Sequence, residues 1–191
     1  MCGIVGYIGS KQAQDILIEG LRKLEYRGYD SAGVAVYNGE TIGVKKAQGR
    51  LNNVEKLLEV SPQPGQMGIG HTRWATHGKP SDENAHPHLD HNHRFAIVHN
   101  GIIENYVELK ERLLEKGYTF LSETDSEVVV KLIADSWDGN LLSTVKKVSS
   151  QIRGAYALGI ASVCEPDKII AARNACPLIV AFGEGENFIG L

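Results

Sequence analysis

The stretch MCGIVGYI, residues 1–8, places a cysteine directly behind the initiator methionine and at the start of an apolar run. Gly3–Ile8 has the apolar residues and glycines that are typical of a buried strand closely approached by other backbone. Because the side chain of Cys2 is small, Met1 can be removed, and we expect Cys2 to become the first residue of the mature chain. On its own, a cysteine at position 2 is more commonly a small residue in a strand.

An N-terminal cysteine would carry its own base. A free thiol has a pKa of about 8.5 and an α-amine one of about 7.7–8.0, so the two groups are comparable in basicity. Attack of the Cys2 thiolate on an amide carbon would generate an oxyanion that needs fixed hydrogen-bond donors. Asn100 and Gly101, directly after a predicted strand at residues 95–98, are candidate donors, although this dipeptide in isolation would predict an ordinary turn.

Two charged residues are candidates for binding an amino-acid substrate. Arg73 has the fork-shaped guanidinium that pairs with a carboxylate in a bidentate manner, and Asp125 could bind an ammonium group. Asp125 has an equal alternative, since residues 124–127 have the spacing of a helix capping box. Arg27 and Asp30 follow a predicted helix, either near the site or as an ion pair that shapes the loop.

The polar segment at residues 73–94 is long for a connection inside a compact domain, which is typical of a functional loop. Trp74 could form a pocket wall there, but a buried core position is the commoner role of a tryptophan. All seven histidines lie between His71 and His99, with the densest pairs at residues 86–88 and 91–93. Because no cysteine lies nearby and the spacing matches no closed zinc pattern, we expect neither a metal site nor a cofactor.

The composition disfavours several classes of protein. The 191 residues carry a formal net charge of −3 with a pI near 6.2, which favours neither a nucleic-acid nor an anionic-membrane partner. No apolar run approaches the roughly 18 residues of a membrane span, and the start of the chain lacks a signal peptide. The cysteines Cys2, Cys164 and Cys176 are an odd number at unrelated spacings, which indicates free thiols in a reducing compartment. We expect a cytoplasmic protein in which Cys164 and Cys176 are packed thiols.

Hydrophobic periodicity predicts an α+β domain. The predicted helices lie at residues 11–24, 53–60, 104–116, 128–137 and 141–150. Further strands are predicted at residues 32–37, 41–46, 67–72, 155–163, 168–172 and 178–181. The hairpin-like strand pairs, with helices inserted in groups, predict mostly antiparallel sheets covered by helices.

Six motifs in a single order resemble the class II glutamine amidotransferases. They are MCGIVG at residues 1–6, LEYRGYDSAG at 24–33, HTRWATHG at 71–78, NAHPH at 84–88, HNGIIEN at 99–105 and ETDSE at 123–127. The similarity runs through the whole chain and ends with GENFI at residues 185–189. The YRGYDSAG and RWATHG strings are most similar to the hexosamine-forming branch of this family.

The resemblance implies the N-terminal nucleophile hydrolase fold, a four-layer α-β-β-α sandwich of two antiparallel sheets. It also implies hydrolysis of the side-chain amide of L-glutamine to glutamate and ammonia through a thioester on Cys2, with the freed α-amine as base. The roles it implies for other residues are an oxyanion hole (Asn100, Gly101), binding of the substrate carboxylate and ammonium (Arg73, Asp125), a pocket lining and closing loop (Thr76, His77, Trp74), and support (Arg27, His86).

Residues 1–191 depart from the family pattern in extent. We expect them to form a glutaminase domain, shortened at its C-terminal end, without the sugar-phosphate isomerase domain of the full-length enzymes. Two alternatives therefore stay open: a non-catalytic glutamine-binding or regulatory fragment, and the glutaminase half of another class II amidotransferase. The retained site residues argue against the first alternative. A chain that keeps Met1 should be inactive, because Cys2 then has no free amine.

Overall fold

The computed structural model describes residues 2–75 and 78–191. The strands are β1 (Gly3–Ile8), β2 (Ser31–Tyr37), β3 (Ile42–Gln48), β4 (Met67–Arg73), β5 (His88–Leu89), β6 (Phe95–Gly101), β7 (Tyr156–Ser162), β8 (Ile169–Asn174), β9 (Ile179–Phe182) and β10 (Asn187–Gly190). The helices are α1 (Ala13–Leu24), α2 (Leu51–Val60), α3 (Tyr106–Glu115), α4 (Asp125–Ser136) and α5 (Leu141–Ser149). None of these described helices is long and apolar enough to cross a membrane.

The strands form two antiparallel sheets. The larger sheet has the order β3-β2-β4-β1-β10-β9, and the smaller one has the order β5-β6-β7-β8. In the larger sheet β4 lies between β1 and β2, with Thr72 opposite both Gly3 and Ala32. This register brings the beginning of β1 and the end of β4 together, so Cys2 and Arg73 lie at the same end of the sheet.

Three apolar clusters hold four layers together. The helices α1 and α2 pack on the outer face of the larger sheet through residues such as Leu21 and Val54. The helices α3, α4 and α5 cover the smaller sheet, with Leu132 buried among them. Ile69 and Val98 lie in the cluster between the two sheets. The order of layers is therefore helices, sheet, sheet, helices, which confirms the predicted α+β sandwich.

The apolar run of β1 is explained by burial on both of its faces. Successive side chains of a strand point to opposite faces, so Ile4 joins the cluster between the sheets while Val5 packs under α1 and α2. At Gly6, an added Cβ would lie 2.5 Å from Cγ1 of Ile189 on β10. The atoms nearest to an added Cβ at Gly3, Gly6 and Gly9 all belong to side chains, so the glycines make room for side chains and not, as predicted, for other backbone.

Two short strands were missed by the sequence patterns, and four helices begin two or three residues away from their predicted starts, at Ala13, Leu51, Tyr106 and Asp125. The strands β5 and β10 are too short to show a period of their own; β10 exists because it pairs with β1. The third helix begins at Tyr106, whereas residue 104 was predicted. The backbone N–H groups of Ile102 and Glu104 instead donate to the Ala155 and Arg153 carbonyls, both at 2.9 Å, and this alternating pattern holds the stretch in an extended conformation before the helix.

Candidate active site

A cavity of about 330 Å³ lies at the start of β1, the ends of β4 and β6 and the start of α4. Its volume lies within the range of small-molecule sites, which run from about 300 to 1,000 Å³. The lining includes eight of the predicted site residues: Cys2, Arg27, Arg73, Trp74, His86, Asn100, Gly101 and Asp125. The fold therefore gathers residues from most of the chain around one pocket.

The Cys2 thiol lies against the backbone of Trp74. The Trp74 N–H donates to Sγ at 3.2 Å, and Sγ lies 3.5 Å from the Trp74 carbonyl oxygen. Burial raises the pKa of the Cys2 thiol because it disfavours the thiolate, and this outweighs the opposite effect of the Trp74 N–H on that pKa. Met1 lies outside the described residues, so its removal stays a prediction.

The Asn100 carboxamide is held on both sides. Its Nδ2 donates to the Cys2 carbonyl oxygen at 3.1 Å, and its Oδ1 lies 2.8 Å from Nε2 of His71. The next residue, Gly101, ends β6 with a φ of 118°, and an added Cβ would meet the Ala155 carbonyl oxygen at 2.0 Å. Asn100 is therefore fixed beside Cys2, Gly101 lines the same cavity, and only glycine fits the Gly101 position.

Arg73 is buried at the end of β4, and its guanidinium is oriented by a backbone carbonyl and by a carboxylate. Its guanidinium donates to the Gly78 carbonyl at 3.0 Å and lies 4.0 Å from Oδ1 of Asp30. Asp30 also accepts a hydrogen bond from the Ala75 N–H. Arg27 donates from Nε to the Cys2 carbonyl at 3.3 Å. Of the two interpretations of Arg27 and Asp30, these contacts favour a place at the site.

The capping role that competed for Asp125 belongs to Thr124. The Thr124 hydroxyl accepts from the Glu127 N–H at 3.3 Å, while the Glu127 carboxylate accepts from the Ser122 N–H at 2.6 Å and not from Thr124. The capping box is therefore formed on one side. Asp125 accepts from the Ile103 N–H at 2.8 Å and lines the cavity, which leaves it available to a ligand.

Trp74 lies at the rim of the cavity. Its side chain is 48% exposed and meets the Tyr29 ring edge to face, with 5.4 Å between centroids. The commoner interpretation of this tryptophan, a buried core position, is therefore wrong, and the pocket wall is favoured. Thr76 and His77, which were also predicted to line the pocket, lie outside the described residues.

Four buried histidines form one cluster at the wall of the cavity, and three of them, His71, His86 and His99, line it. The rings of His71 and His86 stack at 4.3 Å, and His86 meets His88 edge to face at 4.6 Å. The Nδ1 of His86 accepts from the His99 N–H at 3.3 Å. Burial lowers the pKa of His71 to about 3 and holds the pKa values of His86 and His88 well below their usual range, so these three rings are neutral.

From this cluster only His86 was predicted as a site residue, and that prediction came from the resemblance of the NAHPH motif at residues 84–88 to the family. The contact between His71 and Asn100 was missed. Among residues 2–75 and 78–191, no group of three His, Cys, Asp or Glu side chains is placed to hold a metal ion.

The two remaining cysteines differ from the prediction in one respect. Cys164 is exposed in the turn between β7 and β8, so its assignment as a packed thiol is wrong. Cys176 is partly buried, packs against the cluster between the sheets and also lines the cavity. Burial raises the pKa of the Cys176 thiol, which keeps it a poor nucleophile near neutral pH.

The four-layer sandwich of two antiparallel sheets, with Cys2 at the head of its first strand, is the architecture of the N-terminal nucleophile hydrolases. The chain belongs to the glutamine amidotransferase domain family, whose pattern it matches over residues 71–189. The resemblance found in the motifs is thereby confirmed.

Individual relatives agree with this family. The chain is 57% identical to the glutamine–fructose-6-phosphate aminotransferase (isomerizing) of Caldanaerobacter subterraneus subsp. tengcongensis and 58% identical to that of Clostridium acetobutylicum, over 99% of its own length. It spans 31% of the length of these curated relatives. The glutamine phosphoribosylpyrophosphate amidotransferase of B. subtilis, solved with ADP and GMP, has a TM-score of 0.85 at 31% identity, over 99% of this chain and 41% of that one.

Proposed function

We propose that the chain, once Met1 is removed, hydrolyses the side-chain amide of L-glutamine. The Cys2 sulfur attacks the amide carbon, and the α-amine of Cys2 takes the thiol proton and delivers it to the leaving nitrogen. The C–N bond breaks, ammonia leaves and a thioester remains on Cys2. Water then attacks the thioester, releases glutamate and restores the thiol. No cofactor is needed for any of these steps.

One observation carries this proposal. A single cavity is lined by a nucleophile, by an amide and a glycine at the end of a strand, and by one base and one acid (Cys2, Asn100, Gly101, Arg73, Asp125). An amino-acid amide needs all of these: attack at its amide carbon, donors for the oxyanion, a cation for its α-carboxylate and an anion for its α-ammonium.

The charges in the cavity suit both ends of the amino-acid backbone. Arg73 and Asp125 are 3% and 4% exposed, so a substrate that pairs with them would do so away from bulk water, where charge pairing is stronger. Asp125 is held by the Ile103 N–H and Arg73 by the Gly78 carbonyl, and both residues line the cavity. Thr76 and His77 would line the same pocket, and Trp74 would belong to the loop that closes over the bound glutamine.

We further propose that residues 1–191 are the glutaminase domain of a longer glutamine–fructose-6-phosphate aminotransferase. The identity of 57–58% to such enzymes, against 31% to a phosphoribosylpyrophosphate amidotransferase, supports this branch of the family. The ammonia would then pass to a sugar-phosphate isomerase domain, which is the partner that relatives of this length imply. The working compartment would be the cytoplasm, where thiols stay reduced.

The test begins with the intact mass of the purified protein, which should lack one methionine. That protein should release glutamate and ammonia from glutamine in equal amounts, and Cys2→Ala should abolish this release. Cys164→Ala is the matched control, because Cys164 is exposed and does not line the cavity.

Two results would contradict the proposal. Glutamine binding by the processed protein without turnover would favour a non-catalytic binding module. Alkylation of Cys164 or Cys176, but not of Cys2, by a glutamine analogue with a diazoketone in place of the amide would remove Cys2 as the nucleophile.

A further inference from the structure

We propose that His71 is a positioning residue that fixes the orientation of the Asn100 carboxamide, so that the amide nitrogen of Asn100 faces Cys2. The inference rests on the proposed function, because the orientation matters for an oxyanion that forms beside Cys2. It concerns a residue that makes no covalent bond and carries no charge in the reaction. Its effect passes through one hydrogen bond.

The surroundings of His71 determine which ring nitrogen carries the proton. The Nε2 atom lies 2.8 Å from Oδ1 of Asn100 and 3.0 Å from the carbonyl oxygen of His99. A backbone carbonyl can only accept a hydrogen bond, so Nε2 must be the donor. Because the ring is fully buried and its pKa is lowered to about 3, it is neutral, and Nδ1 is unprotonated.

The opposite side of the amide imposes the same orientation. The Cys2 carbonyl oxygen, which also can only accept, lies 3.1 Å from Nδ2 of Asn100. A flipped amide would set an oxygen against the Cys2 carbonyl and an N–H against the Nε2–H of His71. Both contacts would then be repulsive in a site where Asn100 is only 7% exposed.

The orientation leaves one N–H of Asn100 for catalysis. A carboxamide nitrogen carries two hydrogens, and the Cys2 carbonyl uses one of them. The second is free for an oxyanion that forms next to Sγ, and a donor already in position needs no reorganisation during the reaction. Without His71, rotation of the amide could offer oxygen instead of nitrogen to that oxyanion.

The His71 ring is itself held in place. It stacks on His86 with an interplanar angle of 19°. His86 is in turn fixed by the N–H of His99, which adjoins Asn100 on β6. The Nδ1 atom of His71 has no hydrogen-bond partner among the described residues, and a ring of such low pKa is too weak a base to take the Cys2 proton near neutral pH.

The first experiment does not depend on activity. The ¹⁵N spectrum of the processed protein, with histidines labelled, should show the His71 ring with Nε2 protonated and Nδ1 unprotonated, unchanged between pH 6 and 8. An Nδ1–H tautomer would overturn the inference, because such a ring could not donate to Asn100. This outcome can be read even if the protein proves not to hydrolyse glutamine.

The second experiment compares two replacements of similar size. His71→Gln keeps an N–H near the position of Nε2, whereas His71→Met has no donor. We expect His71→Met to lower kcat by about 10- to 100-fold with little change in KM, as for a weakened oxyanion donor, and His71→Gln to recover most of that loss. A merely structural role would instead lower kcat equally in both variants.

A double-mutant cycle identifies the path of the effect. In an Asn100→Ala background, His71→Met should change kcat by less than about 2-fold, because the group that it orients is gone. An undiminished loss in that background would contradict the inference. If the wild type neither turns over glutamine nor is alkylated at Cys2, the proposed function fails. The ring tautomer then still shows whether His71 donates a hydrogen bond to Asn100.

Discussion

Sγ of Cys2 accepts a hydrogen bond from the backbone N–H of Trp74 at 3.2 Å. Trp74 directly follows β4, and β4 pairs with β1 so that Gly3 lies opposite Thr72. The strand register therefore sets the distance between the thiol and this N–H. A donor on the backbone of a sheet end cannot rotate away, so it favours the thiolate whenever the thiol loses its proton.

Isosteric replacement of the candidate oxyanion donor is the first prediction. Asn100→Asp keeps the oxygen that accepts from His71 but sets a second oxygen against the Cys2 carbonyl. We expect kcat to fall about 100- to 1,000-fold while the KM for glutamine changes little, since the lost donor acts on the transition state. Steady-state glutamate release measures both constants. A large rise in KM at constant kcat would show that Asn100 binds the substrate instead.

A second prediction concerns the acid beside Arg73. Asp30→Asn removes the charge that lies 4.0 Å from the guanidinium and weakens the bond to the Ala75 N–H. Because both contacts orient the substrate-binding side of the pocket, we expect the KM for glutamine to rise about 10-fold, with kcat within about 3-fold of wild type.

The control for this variant is Asp15→Asn in the first turn of α1, on the far side of the larger sheet from the cavity. It should leave both kinetic constants unchanged. Equal effects of the two substitutions on KM would argue against any specific role of Asp30.

The positive φ of Gly101 gives a third prediction, which concerns stability. Gly101→Ala places a Cβ 2.0 Å from a backbone carbonyl oxygen at a φ of 118°. Backbone cannot yield as a side chain can, so we expect a loss of more than about 2 kcal/mol in the free energy of unfolding.

Gly117→Ala is the matched control for this variant. Gly117 also has a positive φ, 87°, but has nothing within 4 Å of its added Cβ. The substitution should cost only about 1 kcal/mol. Urea denaturation measures both variants, and equal losses would contradict the clash.

The histidine cluster predicts that stability falls in mild acid. The lowered pKa values of His71, His86 and His88 mean that these rings stay neutral in the native state, whereas the unfolded chain protonates them below a pH of about 6.5. The unfolded state then binds more protons than the native state. The contribution of these histidines to the free energy of unfolding is therefore full above pH 6.5 and is lost as the pH falls. The expected slope is about 1.4 kcal/mol per pH unit for each histidine between pH 6 and 5.

Removal of one ring should reduce this slope. His88→Gln keeps a side chain that can meet the Thr124 hydroxyl, which His88 contacts at 3.0 Å, but it cannot be protonated. The pH dependence of urea unfolding should drop by about 1.4 kcal/mol per pH unit in this variant. His93→Gln, on an exposed histidine, should leave the slope as in the wild type. An unchanged slope in His88→Gln would show that His88 does not contribute to the loss of stability in acid.

The sequence predicted the long elements because each carries a period that only one structure satisfies. The helix α1 has apolar residues at helical spacing, and β1 has an apolar run bounded by glycines. The strand β10 could not be predicted in this way, because its four residues become a strand only through pairing with Val5 to Ile8. The start of α3 depended equally on a distant partner, the Arg153 carbonyl.

The candidate site divides in the same manner. Residue chemistry offered a nucleophile, a pair of donors and two charges only as candidates beside commoner structural roles, the family resemblance favoured the functional roles, and the fold brings these residues to one cavity. The sequence left two roles open for Asp125 because capping and binding need the same carboxylate. The contact of Thr124 with the Glu127 N–H decided between them, since it occupies the cap.

The sequence by itself determined which reactive groups the protein has, with Cys2, behind a methionine that we expect to be removed, as the first of them. Only the tertiary structure decided which of these groups are in contact and how they are oriented. Asn100 meets Cys2 from 98 positions away and His71 from 29, and no local pattern encodes either contact. A sequence motif cannot show which way the Asn100 carboxamide is turned. In the fold the Cys2 carbonyl requires the nitrogen on one side, and His71, which donates to the His99 carbonyl, requires the oxygen on the other.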